Sequence, residues 1–158
     1  MARLRARAPR GERAEGFIPH GHWHTTTFVA GLRFDGLIAP FVIDRAMNGP
    51  IFRTYVEKVL APDLRRGDIV LADNLGSHKV AGVHAAIKAR DARLVYLPPY
   101  SPDFNPIEQL FAKLKTLLRT AAERSVEALW DRIGRLLDRF DPVECANYLA
   151  NCGYLQSA

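Results

Sequence analysis

The sequence predicts an α/β fold in which short parallel strands alternate with helices. Three observations carry that prediction. Two short, mostly apolar runs, Asp68-Ile-Val-Leu-Ala-Asp73 and Arg93-Leu-Val-Tyr-Leu97, have strand length and the composition of strands buried on both faces. The segments between and after them repeat apolar residues at helical spacing. The chain has 158 residues, 48% of them hydrophobic, which suits one domain with a substantial core.

In chain order, residues 1 to 22 are rich in Arg, Gly and Pro and read as a basic irregular arm, leaving 23–158 as the folded domain. Thr25 to Leu32 is β-branched and aromatic enough for a strand, and Arg33-Phe34-Asp35-Gly36 is its turn. Residues 37 to 43 form the hairpin partner, with Pro40 marking an edge because it cannot donate to a ladder. Ile51, Tyr55, Val56, Val59 and Leu60 define a helix stopped by Pro62. The 68–73 strand follows, then a helix over 79–90 and the 93–97 strand, ended by Pro98-Pro99. Three helices close the chain at 106–121, 126–139 and 142–151. Ser125 and Asp141 are N-cap residues, with Pro142 first and Glu144 third in the last helix, the positions of a capping box. Val126, Leu129, Trp130, Ile133, Leu136 and Leu137 make one apolar face, which assigns Trp130 to the core rather than to base stacking. The resulting order, β-β-α-β-α-β-α with further helices, is that of an α/β sandwich.

Charge and cysteine content narrow the classes. A net charge of +5 and a pI near 9.5 suit an anionic partner. Arg3, Arg5, Arg7, Arg10 and Arg13 form a basic leader, and Lys113, Lys115 and Arg119 gather later; both are read either as solvated charge or as phosphate contacts. No apolar run approaches the ~20 residues of a membrane span. The start has basic residues without an apolar core and is not a secretory signal. Cys145 and Cys152 make no disulfide framework, so a cytoplasmic, reducing setting is expected. His20, His22 and His24 alternate as zinc ligands can, but no nearby Cys or carboxylate completes such a site.

Two acids stand in chemically suggestive places. Asp73 closes its strand, at the carboxyl edge where α/β sheets bind ligands; the bland reading is an Asx turn. Glu108 follows Asn105 and Pro106 at a well-marked helix start, and is either a cation ligand or the return partner of a capping box. It lies off the apolar stripe of Ile107, Leu110, Phe111, Leu114 and Leu118, with Lys115 and Arg119 on its own face. Two acids on separate elements suggest metal-assisted phosphoryl transfer, in which paired cations stabilise attacking and leaving oxygens. Hard oxygen donors suit Mg²⁺, and a third carboxylate is normally needed to complete the shell.

The strings Asp73-Asn-Leu-Gly-Ser-His78-Lys79 and Leu97-Pro-Pro-Tyr-Ser-Pro-Asp-Phe-Asn105-Pro-Ile-Glu108 resemble the core of Tc/mariner-like insertion-sequence transposases, which are bacterial DDE superfamily endonucleases. The thirty-four residues between Asp73 and Glu108 match that group's spacing, and the resemblance runs from about Ala8 to Tyr148. It implies an RNase H-like mixed sheet flanked by helices, with Asp73 and Glu108 as the second and third metal-binding acids. It also implies Mg²⁺-dependent (or Mn²⁺-dependent) strand cleavage and transfer at transposon ends, in the bacterial cytoplasm and at the nucleoid. DNA is the implied partner, contacted by Lys79, Lys113, Lys115 and Arg119, with Asn74, His78 and Asn105 in support. His78 either contacts substrate, orients Asp73, or simply caps or packs.

In one respect the sequence departs from the family. The family's first Asp lies on a central first strand, upstream of the segment matching Ala8-Pro9-Arg10-Gly11, and residues 1 to 10 here contain no acid. Asp35, in the hairpin turn, and Asp44, after the edge strand, are not substitutes. The expectation is an N-terminally truncated product whose sheet lacks that strand. Such a chain would be weak or inactive alone, partnered by a second copy or completed by an upstream fragment that supplies the first strand and first Asp, or reduced to a non-catalytic DNA-binding or interaction module.

Overall fold

The structure, a computed structural model, describes residues 7–15 and 25–154. The elements run β1 (Thr27–Arg33), β2 (Gly36–Ile43), α1 (Gly49–Tyr55), a π-helical stretch (Val56–Leu60), α2 (Ala61–Asp63), β3 (Ile69–Ala72) and a 3₁₀ turn (Gly76–His78). Then come α3 (Val83–Lys88), β4 (Arg93–Tyr96), a second 3₁₀ turn (Pro102–Phe104), α4 (Ile107–Ala121), α5 (Val126–Leu137) and α6 (Pro142–Asn151). This is the order read from the sequence. Residues 7–15 are exposed and irregular, and Arg3, Arg5 and the three histidines lie outside the described residues.

β1 and β2 pair antiparallel, from Thr27↔Ile43 to Arg33↔Gly36, with a register shift between Val29 and Gly31. At that irregularity Ala39 adopts a left-handed conformation, φ 50°, and its polar backbone groups find partners outside the ladder. Its N–H donates to Asp63 Oδ2 at 3.0 Å, and its carbonyl accepts from the Tyr55 hydroxyl at 3.0 Å. Pro40 is exposed on β2, which pairs with β1 alone, so its edge assignment holds. β3 and β4 pair in parallel from Ile69↔Arg93 to Ala72↔Tyr96, and the Leu97 N–H extends the ladder to the Ala72 carbonyl at 2.8 Å.

The expected single mixed sheet is instead two two-stranded sheets among the described residues, one antiparallel and one parallel. Each of the four strands therefore keeps one edge without a backbone partner among the described residues. One polar link between the two pairs is the Arg33 guanidinium, which donates to the Asp63 carbonyl at 3.1 Å and to the Asp68 carboxylate.

Two apolar cores flank these strands, and the pleat of β1 serves both. Phe28 and Leu32 pack toward α4, α5 and α6, around Leu110, Leu114, Leu118, Ile133, Leu136, Phe140 and Cys145. Val29, on the other face, joins Val70 and Leu94 against Phe52, Tyr55, Val56, Leu60, Val83 and Ile87. The buried stripe of the first helical run is Phe52, Tyr55, Val56 and Leu60, while Ile51 and Val59 are only half-buried. The π-helical turn shifts the phase of a periodicity read at 3.6 residues per turn. Asn48 caps α1, its side chain accepting from the Ile51 N–H at 3.0 Å. Pro62 sits inside the last turn, and the run ends at Leu64, whose ψ is 138°.

Two expectations are corrected. The helix read over 79–90 is confined to Val83–Lys88, because Gly82 at φ 98° interrupts it and residues 76–78 form a 3₁₀ turn. Trp130 is not core: it is 39% exposed, since Ile133 and Leu136 carry the burial of α5. The caps of the last two helices are as expected, Ser125 accepting from Ala128 N–H at 3.1 Å and Asp141 from Glu144 N–H at 2.8 Å. No helix among the described residues is long and apolar enough to cross a membrane.

Glu144 does not close the capping box, because its carboxylate turns to the Lys113 ammonium at 2.6 Å and to the Tyr148 hydroxyl. Burial pushes this carboxyl up, but those two bonds and the Lys113 charge outweigh it and hold Glu144 below its ordinary range. With the folded pKa below the unfolded one, the pair stabilises fully above the unfolded value near 4.5, and the contribution is lost as pH falls through the lowered pKa. Glu144→Gln is expected to lower the thermal midpoint at neutral pH by an amount worth under about 1 kcal/mol, the pair being partly exposed. Thermal scans from neutral to acidic pH should show the variant and the parent converging in acid.

Candidate metal and nucleic-acid site

Asp73 directly follows the last residue of β3, and Leu97 directly follows the last residue of β4; both leave the same carboxyl edge. Parallel pairing puts them there, since strands running the same way end on the same side. The turn after Asp73 carries Asn74 and then His78 in a 3₁₀ turn, which folds the histidine back toward the strand end. Its Nδ1 meets Asp73 Oδ1 in a short ion-pair contact. Both atoms are buried, and the contact between them lacks hydrogen-bond geometry, so it is a close approach of opposite polarity and neither atom has a hydrogen-bond partner among the described residues. The Asp73 side chain is still 37% exposed, and that exposure lies away from Oδ1. Asn74 Oδ1 is buried beside it without a hydrogen-bond partner.

The chain leaving β4 passes through Pro98-Pro99 and the 102–104 turn to α4, where Glu108 is the second helical residue. The expected cap is absent. Pro106 takes the N-cap position, no side chain caps the helix, and the Glu108 N–H bonds the Asn105 backbone carbonyl at 3.1 Å. Asn105 thus supports the helix start through its backbone. Glu108 closes no capping box; its side chain is exposed and unpaired among the described residues. The structural explanation offered for that acid is gone.

The cations divide into two groups. Lys115 is exposed and Arg119 half-buried, and neither forms an ion pair among the described residues. At 3.6 residues per turn they fall within about 20° of Glu108 around the helix. Lys79 is exposed, its ammonium 5.7 Å from the centroid of the Tyr96 ring. Lys113, by contrast, is turned into the fold: besides Glu144, it stands 4.8 Å from the Phe140 ring centroid. Asp35 is paired with Arg65 at 3.2 Å, in keeping with its exclusion from the site.

Asp73, Asn74 and Glu108 offer only oxygen donors, one of them a buried acceptor without a donor, and that set suits a hard divalent cation. The donors fit in kind. Among the described residues, however, no group of three His, Cys, Asp or Glu side chains gathers to hold a metal by itself. Sequence reading did not reach Phe52 and Tyr96, both of which touch His78; Phe52 was legible only as another apolar residue of a helical stripe.

The fold is similar to that of the Mos1 mariner paired end complex with Mn, with a TM-score of 0.70 and 17% identity over 95% of this chain and 47% of that one. For the Mos1 strand transfer complex the TM-score is 0.71 at 17% identity, over 95% of this chain and 46% of that one. For the catalytic domain of Mos1 mariner transposase it is 0.63 at 15% identity, over 85% of this chain and 82% of that one. The fold is thus that of the RNase H-like catalytic domain, and the chain spans about half the length of the first two of these proteins. No curated protein matches. The profile of the DDE superfamily endonucleases matches residues 1–130, which takes in Asp73, Glu108 and both strand pairs. The chain belongs to the DDE superfamily endonuclease family.

Proposed function

We propose that this chain is the catalytic domain of an insertion-sequence transposase, acting on DNA at transposon ends by metal-dependent strand cleavage and strand transfer. The observation that carries the reading is the pairing of two differently prepared acids within this family. Asp73 is held through one oxygen at the carboxyl edge of β3, and Glu108 stands unpaired at the start of α4. These two carboxylates, with Asn74 Oδ1, would hold the cation. Bound Mg²⁺, or Mn²⁺, supplies activation of the attacking hydroxyl and stabilisation of the leaving oxygen. The Mn of the similar Mos1 complex supports that choice. Lys79, Lys115 and Arg119 bind backbone phosphates, while Lys113 serves mainly to tie α4 to α6. The reaction belongs to the bacterial cytoplasm, at the nucleoid.

On this reading the chain is impaired by itself, for want of a third acid beside Asp73 and Glu108. A second copy is a further partner on this reading, and an upstream transposase fragment completes the site by supplying a first strand and first Asp. The absence of a three-acid cluster among the described residues also favours a second reading, a DNA-binding remnant without chemistry. A cleavage assay on transposon-end duplex with Mg²⁺ or Mn²⁺ separates these. The expected result is salt-sensitive binding with little cleavage by the chain alone, and cleavage once the missing strand and Asp are supplied. Robust cleavage by the chain alone, abolished by Asp73→Ala, would overturn the impairment. Binding without cleavage under every condition, unchanged by Asp73→Asn, would leave the remnant.

A further inference from the structure

The orientation of Asp73 is controlled from an element far from it in sequence. Phe52, on α1, is buried, and its ring stacks on the His78 imidazole with centroids 4.0 Å apart and planes 27° from parallel. The His78 backbone is fixed as well, its carbonyl accepting from the Tyr96 hydroxyl at 2.8 Å. Burial pushes the Tyr96 phenol up, so that donor stays protonated. Tyr96 ends β4 beside Ala72, the residue before Asp73. The imidazole is thus held on its face by Phe52, through its backbone by Tyr96, and at its Nδ1 edge by Asp73.

The fit depends on α1 coming unusually close to the 78–82 segment. A Cβ on Gly49 would lie 2.5 Å from Val80 Cγ2, and one on Gly82 would lie 2.7 Å from Arg53 Nε. At Gly49 the contact with Val80 leaves no room for a Cβ, whereas at Gly82 the φ of 98° rather than the flexible Arg53 side chain favours glycine; both contacts flank the Phe52–His78 stack.

A carboxylate rotates freely unless one oxygen is anchored, and an imidazole anchors it only if the ring plane is itself fixed. We propose that Phe52 is a positioning residue for Asp73, acting through His78, so that one carboxylate oxygen stays with Nδ1 and the other is presented to a divalent cation. The inference rests on the reading of Asp73 as a metal ligand.

The test measures Mn²⁺ affinity by calorimetry and the His78 tautomer by ¹⁵N NMR at fixed pH in the full chain. Phe52→Leu, which keeps an apolar side chain but removes the aromatic face, should weaken Mn²⁺ binding roughly 10-fold or more. It should also shift His78 away from the Nδ1–H tautomer. Phe52→Tyr, which keeps the ring, should stay near the parent in both readouts. In a His78→Phe background, Phe52→Leu should have no further effect on Mn²⁺ affinity, because the two act in series. Additive losses, or a lower melting temperature with unchanged affinity and tautomer, would show a merely structural Phe52 and overturn the inference. Asp73→Asn separates the two levels. If it removes Mn²⁺ binding while Phe52→Leu does not weaken it, the inference alone fails. If the parent binds no Mn²⁺, or Asp73→Asn leaves binding unchanged, the metal reading fails and the inference with it.

Discussion

Asp73→Asn and Glu108→Gln are each expected to weaken Mn²⁺ binding roughly 100-fold or more. Losing an outer-shell partner of a metal ligand already costs about 10–100-fold, so losing the ligand itself should exceed that range. Neither change should unfold the protein. The Glu108 side chain is exposed, and Asn at 73 keeps an oxygen that can face His78. Stability should therefore change by only about 0.5 kcal/mol or so at Glu108. Asp91→Asn is the control. It lies at the opposite end of the β3–β4 pair, in a left-handed conformation (φ 54°) that Asn accepts, and should alter neither property. Calorimetric Mn²⁺ titration with urea denaturation of the same samples checks both claims. An unchanged affinity in Glu108→Gln would remove α4 from the metal site.

Leu110→Ala is the substitution expected to damage the fold most. Leu110 is 0% exposed and sits where α4 meets the α5–α6 layer and the β1–β2 hairpin. Truncating such a side chain loses the transfer free energy of its methyl groups and leaves a cavity, at about 2–5 kcal/mol. Against a total stability of about 5–15 kcal/mol, that is a large share. Leu75→Ala, at a site 55% exposed, should cost under about 0.5 kcal/mol. Urea unfolding of both variants tests the contrast through the midpoint. Glu108 is two residues before Leu110, so the same core fixes the start of the helix that carries the second acid. A small loss in Leu110→Ala would mean that α4 is not anchored as its burial indicates.

The elements themselves were readable from local chemistry. Ser125 and Asp141 cap where a short polar side chain before an apolar run should, and α6 begins at Pro142 as a proline at a first helical position predicts. The hairpin and the two parallel strands were visible because alternation and short apolar runs report burial directly. Asp73 and Glu108 were visible because they sit in long, specific strings rather than because either environment was known.

What local pattern does not encode is how one element meets another. The π-helical turn at 56–60 altered which residues of the first helical run are buried, since a phase shift of that kind follows from packing. Trp130 was assigned inside by periodicity, yet the neighbouring helices cover only the Ile133–Leu136 side of α5. Lys113 looked like one of three equivalent cations until Glu144, 31 residues away, claimed its charge. The order of elements was legible in the sequence, because each element depends on neighbours along the chain. The tertiary structure alone decided that Glu108 is free rather than capping, that Asp73 is held by His78, and that Phe52 holds His78 in turn. Those contacts join residues distant in sequence, and only the docking of α1 and β4 around the end of β3 brings them within reach.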